Sequence, residues 1–262
     1  MTRKKIGLAL SGGGARGFSH LGVLKVLVEN KIPIDFIAGT SAGSFVGGAF
    51  ASGMQIDEIA DLGRRISWFN MTGLSYSPRA LLSNAPMGNF IKLNFPVRRF
   101  EDLKIPYAAV ACDLNTGDEV VLKDEGDLAF AIRASCAVPG VFTPLDDADG
   151  RILIDGGVVT PVPVNIVRAM GADIVIAVDL IACGASFRSA PRTAVGMLFQ
   201  SAMMLLRAAS QNQHYNADVM IEPQIAHLRP DELAKREEFI ELGVQSAEAK
   251  IDEIRDICGC ND

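Results

Sequence analysis

Short apolar runs alternate with longer amphipathic stretches along this chain. Residues 6–10 (IGLAL) are apolar throughout and stop at glycines, which suits a strand buried on both faces of a parallel sheet. Residues 18–29 carry Leu21, Leu24 and Val28 at helical spacing. Pro33 resets the chain, and residues 34–38 (IDFIA) predict a second strand. Residues 42–51 (AGSFVGGAFA) predict a helix of small side chains that packs close to its neighbours, and residues 56–66 predict an amphipathic one. Residues 67–100, with Gly, Asn and three prolines, read as an irregular excursion with short helices. Further strands are expected at 105–113, 119–122, 152–154, 174–178 and 219–221, and helices at 128–135 and 192–213. Residues 231–256 predict one charged amphipathic helix with Ile240, Val244, Ala247, Ile251 and Ile254 on a single stripe. No repeat, linker or low-complexity segment interrupts this order. It predicts a single α/β domain over residues 1–262, three layers (α/β/α) around a mostly parallel central sheet.

Composition narrows the function classes. Hydrophobic residues make up 49% and charged residues 21%, as in a globular chain. The net charge of −6 argues against nucleic acid as the main partner and against purely electrostatic docking on anionic lipid. Arg3-Lys4-Lys5 reads as a solvated strand flank. The five cysteines, at 112, 136, 183, 258 and 260, are odd in number and scattered, and the C-x-C at 258–260 completes no zinc pattern. A reduced, cytoplasmic protein is expected. The first residues lack a signal-peptide design, and no run of about 18 apolar residues predicts a spanning helix.

Two glycine motifs carry the candidate chemistry. In SGGGARG, Gly12, Gly14 and Gly17 fit the dinucleotide spacing G-x-G-x-x-G, and Gly12 and Gly17 have the outer spacing of a P-loop. After the second strand comes Gly39-Thr40-Ser41-Ala42-Gly43, which is G-x-S-x-G between a strand and a helix. A serine on such a turn has its hydroxyl beside the free N–H groups of the following helix. The bland alternative is that Gly-Thr-Ser simply caps a helix. A dinucleotide site needs an acid at the end of the second strand, where this chain has Gly39-Thr40-Ser41, with Asp35 at the wrong end. A P-loop needs Lys and then Ser or Thr after its last glycine, where this chain has Phe18 and Ser19. A third reading survives: the first glycine loop offers backbone amides to the oxygen of a carbonyl attacked by Ser41.

A serine nucleophile needs a base. Only three histidines exist. His20 sits just past the glycine loop, where it would fix that loop or its helix; His214 ends a long helix; and His227, in a polar connection, fits the order of a Ser–acid–His triad loosely. The other candidate is Asp155, at the end of a short apolar strand in Asp155-Gly156-Gly157. Asp-Gly is also a common turn pair. A free aspartate titrates near about 3.9, so burial would have to raise it before it could take a serine proton.

GGGARG, GTSAG and DGG, in this order, resemble the patatin-like phospholipase family. Residues 111–117 (ACDLNTG), 133–140 (RASCAVPG) and 171–179 (GADIVIAVD) are similar to its bacterial members, so the resemblance runs from about residue 5 to 225. It implies a patatin-like fold and lipid acyl hydrolysis through a Ser–Asp dyad, with no metal or organic cofactor. Ser41 would be the nucleophile and Asp155 its base. Gly12, Gly13, Gly14 and Arg16 would shape the oxyanion loop, and the Ala42 N–H would contribute. The implied partner is a lipid ester, with peripheral contact at the inner membrane surface. A nucleotide-binding protein and a catalytically weak adaptor acting through the 192–213 helix are the rivals.

Other residues have plainer readings. Arg16 anchors its loop or stabilises charge; Asp113 and Asp179 cap or turn strand ends; Arg133 is expected in an ion pair. Arg98 and Arg99 read as a solvated pair. Met197, Met203 and Met204 pack a core or form an acyl surface. Phe45, Phe50, Trp68 and Phe69 line an acyl pocket or belong to the aromatic core.

Overall fold

A computed structural model describes residues 3–184 and 191–260. The chain opens with β1 (Ile6–Leu10), α1 (Phe18–Glu29), β2 (Phe36–Thr40), α2 (Ala42–Ala51) and α3 (Ile56–Arg65). The excursion follows, as α4 (Trp68–Met71), β3 (Gly73–Leu74), β4 (Ala80–Ser83) and α5 (Ala85–Asn94). Then come β5 (Tyr107–Asp113), β6 (Glu119–Lys123), α6 (Leu128–Ser135), β7 (Gly140–Phe142), β8 (Leu145–Asp146) and β9 (Ile152–Asp155). The last elements are α7 (Val164–Ala169), β10 (Ile174–Val178), α8 (Ala194–Gln213), β11 (Val219–Ile221), α9 (Arg236–Glu248) and α10 (Ile251–Cys258).

The main sheet runs β11-β10-β1-β2-β5-β9-β8, with β6 also on β5. The pairs among β11, β10, β1, β2 and β5 are parallel, and those involving β6, β8 and β9 are antiparallel. Side-chain alternation sorts the two faces by size. Ile6, Leu8 and Leu10 of β1 and Ile174, Ile176 and Val178 of β10 join α1, α2 and α9 in the larger core. Ala9, Ala38, Ala108 and Ala177 face the other way and let the short helix α7 sit close, through Val164, Ile166 and Val167.

Several boundaries differ from expectation. β2 begins at Phe36, because Asp35 turns its carboxylate onto the Ile6 N–H at 2.7 Å and onto Arg3, and pairing with β1 starts at Gly7↔Phe36. The excursion contains strands as well as helices: β3 pairs with β4, and β4 with the distant β7, to form a second, three-stranded sheet. The expected C-terminal helix is two helices. The break at Ala249–Lys250 redirects the chain so that Ile254 is buried on the core as fully as Phe239 and Ala247. α9 crosses α1 at glycines: a Cβ at Gly243 would lie 2.1 Å from the Ser19 carbonyl oxygen, so only glycine permits this approach.

Candidate functional site

β5 gives one edge to β6 over Ala108–Cys112. On its other edge two strands meet end to end. β2 runs parallel and brings Thr40 opposite Val110; β9 runs antiparallel and brings Asp155 opposite Ala111. The carboxyl ends of β2 and β9 therefore meet over adjacent residues of one strand, and Ser41 directly follows Thr40.

Ser41 stands between β2 and α2 with φ 53° and ψ −119°, a left-handed conformation that costs a non-glycine residue about 1–3 kcal/mol. Its neighbours hold it there. Its N–H donates to the Ser135 hydroxyl at 2.9 Å, and its carbonyl accepts the Ser44 N–H at 2.9 Å and the Ser44 hydroxyl at 2.6 Å. The buried Thr40 hydroxyl donates to the Thr160 carbonyl at 2.8 Å. The turn is tight because glycines flank it: a Cβ on Gly39 would lie 2.4 Å from the Gly43 carbonyl oxygen, and one on Gly43 would lie 2.2 Å from that of Leu10.

Asp155 is buried, 6% exposed. Burial lifts its carboxyl to about 6, against the opposing pull of hydrogen bonds from the Ser41 side chain and the Gly157 N–H. The Gly157 bond measures 2.8 Å. Gly156 lies against the Val110 carbonyl, where a Cβ would approach to 2.3 Å. The carboxylate thus has the Ser41 hydroxyl on one side and a fixed backbone donor on the other.

The glycine loop lies beside this pair. Gly12 packs on Ser41, but its N–H is committed to the Pro161 carbonyl at 3.2 Å. Among the described residues, the amides of Gly13, Gly14 and Ala42 have no hydrogen-bond partner. Gly14 has φ 60° and touches the Pro230 carbonyl, where a side chain would clash. Arg16 is buried and spends its guanidinium on carbonyls, those of Leu228 at 2.8 Å, Gly184 at 2.9 Å and Leu180 at 3.1 Å. It therefore anchors the loop to two connections after β10.

A model described as patatin-like phospholipase matches residues 8–168, the stretch that holds the glycine loop, the serine turn and Asp155. The chain belongs to the patatin-like phospholipase family. A patatin-like phospholipase domain-containing protein of Caenorhabditis elegans is 40% identical over 189 residues, which are 69% of this chain and 14% of that one. An uncharacterized NTE family protein of Mycobacterium tuberculosis is 39% identical over 179 residues, 67% of this chain and 49% of its own length. The chain thus spans about one seventh of the first relative and about half of the second. The crystal structure of VipD from Legionella pneumophila shares the fold, with a TM-score of 0.66 at 16% identity over 96% of this chain and 67% of that one.

In this patatin-like domain an apolar cavity of about 180 Å³ opens beside Ser41. Phe45, Val46, Trp68, Met71, Met87 and Phe142 are among its walls. Phe50 and Phe69 are not; Phe69 is almost fully exposed. Met197 and Met204 are exposed as well, so neither packs a core, and Met203 is half-buried. Arg133 contacts the Asn84 side chain at 3.3 Å, and no carboxylate pairs with it among the described residues. Arg98 is exposed, whereas Arg99 pairs with Glu101. Asp113 binds the Asn115 N–H at 3.0 Å in the turn after β5.

The histidines lie elsewhere. His227 is exposed beside Glu238 at 3.2 Å, and His20 is buried with its Nε2 on the Ser11 carbonyl at 2.9 Å. Burial pushes His20 down to about 4, so it is neutral. His214 joins the buried Asp179 at 2.7 Å, where Ser210 also donates at 2.5 Å. Two residues beside Ser41 escaped the motif reading, although they lie in the quoted stretch RASCAVPG. Ser135 receives the Ser41 amide, and Cys136 lies against Ser44 with a thiol that burial pushes up to about 12. Nothing in their spacing marks them; the end of α6 brings them to the serine.

Proposed function

We propose that this protein is a serine acyl hydrolase that cleaves carboxylic esters of phospholipids or lysophospholipids through Ser41 and Asp155. The observation that carries the reading is the meeting of a strained serine turn with a buried carboxyl raised to about 6, close enough to neutrality to exchange a proton. Ser41 Oγ attacks the ester carbonyl carbon while Asp155 takes its proton. The oxyanion is received by the free amides of Gly13, Gly14 and Ala42, helped by the positive end of α2. Collapse expels the alcohol, which recovers the proton from Asp155, and leaves an acyl ester on Ser41. Asp155 then deprotonates water, and its attack releases the fatty acid and restores the serine. The acyl chain occupies the apolar cavity beside Ser41. Arg16 acts by anchoring the oxyanion loop, not by touching the oxyanion.

The five free cysteines support a reducing, cytoplasmic setting. No helix among the described residues is long and apolar enough to cross a membrane. The test is a panel of fatty-acyl esters and phospholipids with wild type, Ser41→Ala and Asp155→Asn, alongside fluorophosphonate labelling. Both variants should lose nearly all hydrolysis, and Ser41→Ala should lose the label. Full activity in Asp155→Asn would remove the dyad.

A further inference from the structure

Residues 62–100 differ in charge from the rest of the molecule. They hold six of the 25 Lys and Arg (Arg64, Arg65, Arg79, Lys92, Arg98 and Arg99) and none of the 31 Asp and Glu. In a chain of net charge −6 this segment alone carries +6, which leaves −12 elsewhere. Arg64, Lys92 and Arg99 are tied to carboxylates outside the segment, on Glu237, Asp127 and Glu101. Arg65, Arg79 and Arg98 are exposed, and among the described residues no carboxylate pairs with them.

The same segment exposes large apolar side chains. Phe69 and Tyr76 are each 96% exposed, and Leu74, Leu81 and Leu93 are nearly as open. Exposed apolar side chains gathered in one segment suit a contact surface. In its first part, Ile66, Ser67, Trp68, Met71 and Thr72 also line the cavity beside Ser41, so the segment reaches the mouth of the site. Unpaired guanidiniums among exposed aromatic and leucine side chains match a bilayer interface. The apolar groups enter the headgroup boundary, and the cations meet lipid phosphates.

We propose that residues 62–100 dock this protein on an anionic phospholipid bilayer, with the mouth of the cavity turned to the surface. The purpose of docking, delivery of lipid to Ser41, rests on the hydrolase reading; the docking itself can be measured apart from it.

The full chain is mixed with vesicles of phosphatidylcholine alone, or with phosphatidylglycerol as about one third of the lipid, and bound protein is separated by flotation. Wild type and Ser41→Ala should bind the anionic vesicles and be released by salt. At about fivefold per cation, combined Arg65→Glu, Arg79→Glu and Arg98→Glu should weaken binding about 100-fold. Combined Phe69→Ser, Tyr76→Ser and Leu81→Ser should weaken it about tenfold or more. Both combined variants should keep the wild-type melting temperature and the wild-type rate on a short-chain, water-soluble ester. Three results would overturn the proposal: no binding by wild type, equal binding to neutral vesicles, or combined variants that bind like wild type, whether or not they break a wild-type dimer. Vesicle binding by a protein that hydrolyses no ester would sink the hydrolase reading and leave the docking intact.

Discussion

The Ser41 N–H donates to the Ser135 hydroxyl at 2.9 Å, across the junction between the serine turn and the last residue of α6. Ser135 is fully buried, while Ser41 is only partly so. The bond ties the strained Ser41 backbone to the end of α6.

Ser135 is therefore expected to be a positioning residue. In Ser135→Ala the partly buried Ser41 amide is left without its partner, at about 1 kcal/mol of stability. On the proposed hydrolase reading, acyl transfer should suffer in kcat by about tenfold with little change in KM, because the Ser41 hydroxyl is displaced while the apolar cavity is untouched. Ser135→Thr should recover much of the loss. Steady-state kinetics on one soluble ester checks both.

Asp155 predicts a pH profile. With its carboxyl at about 6, kcat/KM should rise about tenfold per pH unit below that value and level off above it. Stability moves the other way. The folded state prefers the protonated form, so ionisation of Asp155 costs stability as pH rises from about 4 to about 6, and the cost then stays constant. Asp155→Asn should abolish activity yet raise stability at about pH 8 by up to about 3 kcal/mol, with little gain at about pH 4. Calorimetry at the two pH values gives the comparison.

Gly43 predicts a steric limit. A Cβ there would sit 2.2 Å from the Leu10 carbonyl oxygen and 2.6 Å from that of Ser11, both backbone atoms of the strand and loop below. Gly43→Ala must push α2 off β1, and a loss of about 3 kcal/mol or more is expected in urea unfolding. Gly117→Ala is the control. Its Cβ meets nothing within 4 Å, so only its φ of 79° is strained, and the loss should be about 1 kcal/mol.

His214 predicts a second pH signature. Its hydrogen bond to Asp179, together with the nearby charges of Asp179 and Glu222, raises its pKa despite partial burial. That stabilisation is present below the ordinary histidine value and fades as pH climbs through the raised one. Asp179 is held low by His214, Ser210 and the Ile181 and Ala182 amides, which outweigh its burial, so its share is lost only as pH falls well into the acid range. His214→Ala should therefore destabilise more at about pH 6 than at about pH 9, read as a difference in melting temperature.

Much of the scaffold was legible because its elements are locally consistent. The helices at Phe18–Glu29, Ala42–Ala51 and Leu128–Ser135 and the strands at Ile6–Leu10 and Ile174–Val178 lie where periodicity and flanking glycines put them. The excursion was not legible as a sheet, since Ala80 and Leu82 of β4 find their partners in Gly140 and Phe142, far along the chain. The C-terminal stripe read as one helix because side-chain spacing hardly registers a two-residue break.

At the site, residue types were readable and geometry was not. The flanking glycines of Ser41 announce a crowded turn; the fold shows what crowds it, the Gly43 carbonyl against Gly39 and the Leu10 carbonyl against Gly43. What lifts Asp155 above the many Asp-Gly turns is a long-range fact. β9 runs against β5 and β2 runs with it, so two strand ends far apart in the chain meet on one edge. That meeting buries the carboxyl and raises its pKa, while the three histidines are drawn to other partners. Motif order and apolar periodicity thus determined the family and the layers of the fold. Tertiary packing decided which acid stands beside the serine, because burial and strand direction are properties of no single segment.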